Sequence, residues 1–190
     1  MRLIIIDGLD GVGKDTHAKL VKARYEKLGE KVVIRSHPSL DNFFGKKAKK
    51  ALLSGSSIDK VKAGVFYMLD VLRSVKKYYH RSDIDTLIMV RYLVGTAYLP
   101  EKLSKIAYRF FFGFVPTSKF MFFLDCKPEL VLKRYKDREN LEVFENLQSL
   151  IKVRKKALDL VYDWNIINSS GTIESTYDLI ERKLNILDKK

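Results

Sequence analysis

Residues 3–16, LIIIDGLDGVGKDT, decide how the rest of the chain is interpreted. An apolar β-branched run that ends in glycines and then opens a helix is the layout of a phosphate-binding loop. Gly8, Gly11 and Gly13 allow backbone angles that a Cβ would resist, so successive N–H groups can face one anion. The first turn of the helix adds unpaired donors, and Lys14 adds a mobile cation for the β- and γ-phosphates. This stretch therefore predicts a nucleotide-phosphate site.

The residues that follow Lys14 depart from the strict form of this loop. That form has Ser or Thr directly after the lysine, and its hydroxyl binds Mg²⁺. This chain has Asp15 there and Thr16 one place later, so these two residues are the candidate metal ligands. The predicted phosphate-binding residues are Gly8, Asp10, Gly11, Val12, Gly13, Lys14, Asp15 and Thr16.

Length and composition indicate a single globular domain over residues 1–190. No apolar run approaches the ~20 residues needed to span a bilayer. The apolar start of the chain runs directly into Asp7 and Gly8, so it is too short for a secretory signal. Cys126 is the only cysteine, which excludes an internal disulfide. We therefore expect a cytoplasmic protein with no membrane partner.

The net charge of +13 has two interpretations. A polyanion could bind the basic patch at residues 46–50, or the lysines could form a solvated surface around a site for two anionic nucleotides. The aromatic residues fall in apolar runs such as 110–112 and 122–123, and they do not alternate with the basic patch as a base-stacking surface requires. We therefore do not expect a nucleic-acid partner.

Apolar runs and helical periodicity alternate along the chain. Strands are predicted at residues 2–7, 31–36, 85–91, 119–125 and 164–168. Helices are predicted at residues 14–28, 40–54, 58–79, 97–112, 128–136 and 172–187, with a further helix that ends near residue 162. This alternation predicts an α/β fold with a five-stranded parallel sheet and helices on both faces. Right-handed crossovers then place the glycine loop at the carboxyl ends of the strands, where such sheets bind ligands.

Three later motifs accompany the loop and its aspartate, Asp10. They are Arg91-Tyr92 with the later Ala97-Tyr98, the run at residues 123–134, and residues 167–174. In this order they resemble the motifs of thymidylate kinases, which are P-loop kinases that transfer the γ-phosphoryl group of ATP to dTMP. The resemblance implies a three-layer P-loop kinase fold with a short lid at about residues 135–146. It also implies ATP and dTMP as the nucleotide partners.

The resemblance implies a role for each acceptor-site residue. Asp10 would accept a hydrogen bond from the 3′-hydroxyl of the acceptor, and Arg91 would bridge the acceptor phosphate and the transferred phosphoryl group. Tyr98 would pack where a ribose 2′-hydroxyl would sit, and Phe66 would stack on thymine. Arg73 is the candidate phosphate ligand, although the family's arginine usually lies four residues after that phenylalanine, where this chain has an aspartate.

The resemblance also implies which cations act on the transferred group. Gly11 stands where one branch of the family carries an arginine, so the lid is expected to supply the cation from Arg134 or Arg138. Together with Lys14 and Arg91, these are the candidate catalytic residues. ATP and Mg²⁺ are the expected cofactors.

The family's strand-end aspartate, which helps to hold Mg²⁺ through water, is Val90 in this chain. Since Mg²⁺ accepts one or two carboxylates together with phosphate oxygens, we expect Asp15 to take over this task. Asp15→Ala should then abolish Mg²⁺-dependent turnover, and Asp15→Thr combined with Val90→Asp should restore part of it.

Several alternatives remain at this point. The chain could bind nucleotides with weak or no kinase activity, or the acceptor could be dUMP, dCMP or a deoxynucleoside. The resemblance implies a homodimer, and the apolar face of the helix at residues 58–79 is its candidate contact. His17 is expected to face outward from the first helix and to be inert.

Overall fold

The computed structural model describes residues 1–54, 57–136 and 147–189. Five strands form one parallel sheet in the order β2-β3-β1-β4-β5. The strands are β1 (Arg2–Gly8), β2 (Val32–Ser36), β3 (Thr86–Val90), β4 (Met121–Asp125) and β5 (Asn165–Asn168). All five predicted strands and their parallel arrangement are confirmed.

Seven α-helices are found among the described residues. They are α1 (Lys14–Lys27), α2 (Phe43–Ser54), α3 (Ser57–Tyr78), α4 (Glu101–Phe114), α5 (Pro128–Lys136), α6 (Leu147–Leu160) and α7 (Ile173–Asp188). The helix predicted at residues 97–112 is confirmed from Glu101 onward as α4, whereas its predicted start is wrong because a separate 3₁₀ helix at Val94–Tyr98 precedes α4. Pro100 separates the two, since a residue before proline avoids helical angles and Leu99 is extended with ψ 160°.

The central strand, β1, is buried on both faces. In β1, Ile4, Ile5 and Ile6 are all fully buried, although successive side chains of a strand point to opposite faces. Ile4 pairs in register with Ile88 of β3, and Ile6 pairs with Phe122 of β4. A parallel sheet with both faces buried needs helices on each side, so the expected three-layer arrangement is confirmed.

The end of α7 is fixed against α1 and β1. Asp188 accepts hydrogen bonds from the Tyr25 hydroxyl at 3.0 and 3.1 Å and from Arg24 at 3.2 Å. The guanidinium of Arg2 lies 3.3 Å from the same carboxylate and 4.2 Å from the centre of the Tyr25 ring. This contact joins the first strand, the first helix and the last helix.

The carboxyl edge of the sheet carries the loops that form the candidate site. β1 leads into the glycine loop, β3 leads to Arg91, and β4 ends at Asp125. Asp125 binds Arg154 of α6 through two hydrogen bonds of 2.7 Å, and its carbonyl accepts the N–H of Ser169 after β5. The segments that follow β1, β3, β4 and β5 therefore lie at the same edge of the sheet.

Two predictions fall partly outside the described residues. Most of the expected lid lies at residues 137–146, which the structure does not describe, and Arg138 is among them.

Within the described ranges, no helix combines the length and the apolar character needed to cross a membrane.

Candidate active site

The glycine loop connects the carboxyl end of β1 to the first turn of α1. Gly8, Gly11 and Gly13 have φ angles of 148°, 76° and 94°, which favour glycine over other residues. Gly13 is the N-cap of α1, and no side chain caps the first amides of the helix there. These amides are therefore available to an anion such as a phosphate group.

Lys14 lies inside this loop, with a side chain that is 2% exposed. Its ammonium donates to the carbonyl of Gly8 at 2.9 Å and to that of Leu9, and it lies 3.3 Å from Asp10 Oδ1. Burial lowers the pKa of Lys14, and the carboxylate of Asp10 partly offsets this. The oxygens of the loop therefore fix the position of the Lys14 ammonium, the cation predicted to bind phosphate groups.

Arg91 reaches the same loop from the end of β3. Its Nη1 lies 2.9 Å from Asp15 Oδ2 and 2.9 Å from the hydroxyl oxygen of Ser36, and its Nε lies 3.5 Å from Asp10 Oδ1. Burial alone would lower the pKa of Arg91, but Asp15 and Asp10 raise it above its usual value. Arg91 therefore keeps its charge next to Lys14.

Two carboxylates flank these cations. Burial would raise the pKa of Asp10 and of Asp15, but Lys14 and Arg91 hold the first below its usual value, and Arg91 and Ser36 do so for the second. Both groups are therefore ionised at neutral pH. Asp15 is open to solvent, with a side chain that is 51% exposed. Among the described residues no cluster of three His, Cys, Asp or Glu could hold a metal by itself.

Tyr98 joins this group from the end of the 3₁₀ helix. The N–H of Asp10 donates to its hydroxyl oxygen at 3.3 Å, and the hydroxyl lies 3.5 Å from Asp10 Oδ2. The structure thus brings together five of the predicted site residues: Asp10, Lys14, Asp15, Arg91 and Tyr98.

The other two predicted acceptor residues lie on α3 and contact α2 or the chain before it. Phe66 makes an edge-to-face contact with Phe43, with ring centres 6.2 Å apart. Arg73 Nη1 lies 3.8 Å from Asp41 Oδ1, and Asp41 also forms two hydrogen bonds of 3.0 Å with Arg35.

Asp70 occupies the position four residues after Phe66, and it is fully buried. It accepts hydrogen bonds from Ser39 N at 2.6 Å, from Ser39 Oγ at 2.5 Å and from Asn42 Nδ2 at 2.7 Å. These contacts fix the chain between β2 and α2. Asp70 therefore shapes the expected acceptor side of the site through the backbone rather than through a charge exposed to ligand.

A cavity of about 240 Å³ lies beside the loop, between α1, α5 and the start of α7. Its lining residues are Gly11, Val12, Gly13, Thr16, His17, Arg134, Ser169, Gly171, Thr172, Ile173 and Thr176. Arg134 donates to the carbonyls of Ser169 and Gly171 at 3.0 and 3.2 Å, so the loop after β5 fixes its position. The cavity is therefore lined by the glycine loop on one side and by residues of α5, of the loop after β5 and of the start of α7 on the other.

The expectation that His17 faces outward is wrong, because this side chain is 3% exposed and lines the cavity. Its Nδ1 lies 2.8 Å from the carbonyl oxygen of Gly13, one helical turn earlier. A Cβ at Gly13 would lie 3.2 Å from the ring, so the glycine leaves room for this packing. Sequence reasoning also missed Ser36, which binds both Asp15 and Arg91.

The fold and the geometry of the site together indicate a class of protein. A glycine loop after the central strand of a parallel sheet, a lysine within it and a second cation from the neighbouring strand are typical of P-loop phosphotransferases.

Comparison with known proteins narrows this class. The family model for thymidylate kinase matches residues 6–180. The chain is 26% identical over 201 residues to the probable thymidylate kinase of Methanococcus aeolicus, covering 100% of this chain and 97% of that protein. It is 27% identical over 196 residues to probable thymidylate kinase 1 of Saccharolobus solfataricus, covering 99% and 97%. The chain belongs to the thymidylate kinase family.

Proposed function

We propose that the protein transfers the γ-phosphoryl group of ATP to dTMP. The observation that carries this proposal is the convergence of two cations on one carboxylate. Lys14 Nζ and Arg91 Nε lie 3.3 and 3.5 Å from the same oxygen of Asp10, although they come from different crossovers. Membership of the thymidylate kinase family supports the choice of substrates.

Phosphoryl transfer requires two phosphate groups in line and neutralisation of the charge on the oxygens between them. The free amides of the loop and Lys14 would bind the β- and γ-phosphates of ATP. Arg91 would contact the acceptor phosphate and the group in transfer. An oxygen of the acceptor phosphate forms a bond to the γ-phosphorus while the bond from that phosphorus to the β-phosphate oxygen breaks, which releases ADP. The nucleophile is already an anion, so no general base is needed.

The cavity beside the loop supports ATP as the donor. Its lining includes the apolar residues Val12 and Ile173 and the polar residues Arg134, Thr172 and Thr176. We propose that it binds the nucleoside half of ATP. Arg134, which borders both the cavity and the loop, remains a candidate for a cation on the transferred group, as does Arg138.

Asp10 and Tyr98 support a deoxynucleotide as the acceptor. Their mutual contact places a carboxylate and a phenol ring beside the two cations, where a 3′-hydroxyl can bind Asp10 and a 2′-hydroxyl would meet Tyr98. We keep Phe66 as the proposed stacking partner of thymine and Arg73 as a proposed phosphate ligand. Release of Arg73 from Asp41 would be part of acceptor binding.

The residues present fit a role for Mg²⁺ at this site. Val90 is fully buried and offers no side-chain oxygen, whereas Asp15 presents an exposed, ionised carboxylate in the first turn of α1. We propose that Asp15, with the hydroxyl of Thr16, holds the metal. Mg²⁺ bound there would neutralise charge on the phosphates.

We also propose that the protein acts as a cytoplasmic homodimer. The buried free thiol of Cys126 fits a reducing compartment. On α3, the apolar side chains of Val61, Val65 and Leu72 are exposed at a spacing of four and seven residues, which places them along one face. A second copy of the chain is the proposed cover for this face.

A coupled assay of ADP release tests the reaction. Purified protein with ATP and Mg²⁺ is supplied in turn with dTMP, dUMP, dCMP, a ribonucleoside monophosphate and thymidine. Fastest turnover with dTMP is expected, and it should need no polynucleotide. Absence of ADP release with every acceptor, while calorimetry still detects ATP binding, would instead identify a nucleotide-binding protein without transferase activity. Binding to DNA that weakens steeply with salt would favour the nucleic-acid alternative.

A further inference from the structure

Asp7 is the one acidic residue of β1, and its side chain lies in the interior at 1% exposure. Its hydrogen-bond partners among the described residues are all backbone amides. Oδ1 accepts the N–H of Gly8 at 2.9 Å, and Oδ2 accepts those of Tyr92, Leu93 and Val94 at 2.8, 2.9 and 2.9 Å. Four donors on one carboxylate offset the cost of burying it.

Three of these donors follow Arg91 directly. Arg91 has a φ of 55°, which is uncommon for a residue with a Cβ and persists only where the surroundings hold it. Its N–H donates to the carbonyl of Ile6 at 3.3 Å, and its own carbonyl accepts the hydroxyl of Tyr67. The turn therefore wraps around Asp7 on one side and is held by Tyr67 on the other.

We propose that Asp7 is the positioning residue for Arg91 in phosphoryl transfer, an inference that rests on the proposed function. Its carboxylate binds the first residue of the phosphate loop and the turn after Arg91 at the same time. It thus fixes the distance between the loop that holds Lys14 and the backbone from which Arg91 extends. In this role Asp7 acts through the backbone that it binds and would not contact either nucleotide.

A positioning role for Asp7 and a purely structural role predict different changes in the kinetic constants. If the turn relaxes, the guanidinium of Arg91 moves relative to the phosphate site while the loop and its lysine remain. A misplacement of about 1 Å can cost about 10²-fold in rate. The loss should therefore appear in kcat, whereas the affinity for ATP, which depends on the loop amides and Lys14, should change little.

Asp7→Asn is the first variant, because it has the same shape but presents an amide donor to one of the backbone N–H groups. We expect kcat to fall by about 10- to 100-fold, with the KM for ATP nearly unchanged. Tyr67→Phe is the matched variant from the other side of the turn. It removes only the hydroxyl that binds the carbonyl of Arg91, and it should lower kcat in the same direction by a smaller factor. If Asp7→Asn does not fold, Tyr67→Phe still tests whether the position of the turn after Arg91 sets kcat, and an unchanged kcat would overturn the proposal.

A double-mutant cycle separates positioning from stability. In an Arg91→Ala background the guanidinium is gone, so Asp7→Asn and Tyr67→Phe should cause little further loss of kcat. An equal fold-loss with and without Arg91 would overturn the proposal, since Asp7 would then act on something else.

A spectroscopic readout keeps this proposal separate from the proposed reaction. The Nε–H resonance of Arg91, assigned by its disappearance in Arg91→Lys, should be resolved in the wild type and shifted or broadened in Asp7→Asn. Wild-type protein without turnover would refute the proposed function but leave this readout intact. An Arg91 resonance that is identical in wild type and Asp7→Asn would refute the positioning role.

Discussion

Gly8 leaves almost no room for change at the start of the phosphate loop. A Cβ there would lie 2.5 Å from the carbonyl oxygen of Leu124 on the neighbouring strand, and the φ of 148° is unfavourable for other residues. Gly8→Ala should lower the free energy of unfolding by about 1–3 kcal/mol, because either the backbone angle or the β1–β4 pairing must shift. Urea denaturation measures this.

Gly113→Ala is the matched control. Gly113 lies in α4, and nothing lies within 4 Å of the Cβ that the substitution would add. Alanine is favoured over glycine by about 0.5–1 kcal/mol in a helix interior. Gly113 is the next-to-last residue of α4, so the gain should be smaller there and the variant should be at least as stable as the wild type. Equal stability of the two variants would contradict the steric argument at Gly8.

Asp15 is expected to carry the magnesium dependence of the reaction. Asp15→Ala should abolish Mg²⁺-dependent turnover, because it removes the exposed carboxylate at the proposed metal position. Turnover measured across a Mg²⁺ titration tests this. Ser36→Ala is the control: it removes a hydrogen bond of 2.9 Å to Asp15 but leaves the carboxylate, so the Mg²⁺ requirement should persist. Full activity of Asp15→Ala would contradict the assignment.

The sequence predicted the charged residues of the site better than the residues that support them. Lys14, Arg91 and Asp10 belong to motifs with defined spacing, and the structure brings them together. His17 and Asp7 have no such signal, because their positions follow from packing against Gly13 and from amides far along the chain. For Asp7, the only signal in the sequence was an acidic residue that directly follows the apolar run of strand β1.

A bidentate ion pair joins the end of β4 to α6. Arg154 donates to both oxygens of Asp125 at 2.7 Å, and each side chain is partly exposed. Arg154→Met keeps much of the apolar stem and should destabilise the protein by about 1–2 kcal/mol. Lys22→Ala removes the partner of Glu26 in an exposed pair on α1, and it should have a smaller effect. Thermal unfolding compares them.

The packing of α1 against α7 predicts a loss of stability at high pH. Burial raises the pKa of Tyr25 to about 12, with a further contribution from Asp188, whereas an unfolded tyrosine ionises near pH 10. Between these values the unfolded state binds fewer protons than the folded state, so the free energy of unfolding falls as pH rises. Tyr25→Phe should remove part of this slope. The exposed Tyr162→Phe serves as the control, and an unchanged slope in Tyr25→Phe would contradict the prediction.

The strands were predictable because buried parallel strands are short apolar runs, as in β1 and β4. The break before α4 was not predicted, although Pro100 was visible, because the apolar periodicity continues on both sides of it. Strand order was not predicted either. Strand order depends on which crossovers pack against each other, and the hydrophobic pattern of a single segment contains no information about this.

The proposed homodimer makes a prediction for the intact protein. Val65 is 47% exposed on the apolar face of α3. Light scattering should give twice the chain mass of 22.1 kDa for the wild type, and Val65→Glu should shift this toward the mass of one chain because it places a charge in the contact. Ile186→Glu on α7 is the control, since Ile186 is similarly exposed on another helix. A wild-type monomer would refute the proposal.

The carbonyl oxygens that bind Lys14 affect which anions can bind the phosphate loop. The ammonium of Lys14 already has the oxygens of Gly8, Leu9 and Asp10 as partners, so an anion that binds it must replace these contacts. A polyphosphate chain can do so, because it supplies several negative oxygens to the amides and the lysine together. At the ATP site that we propose, these internal contacts would therefore favour triphosphates over simple anions.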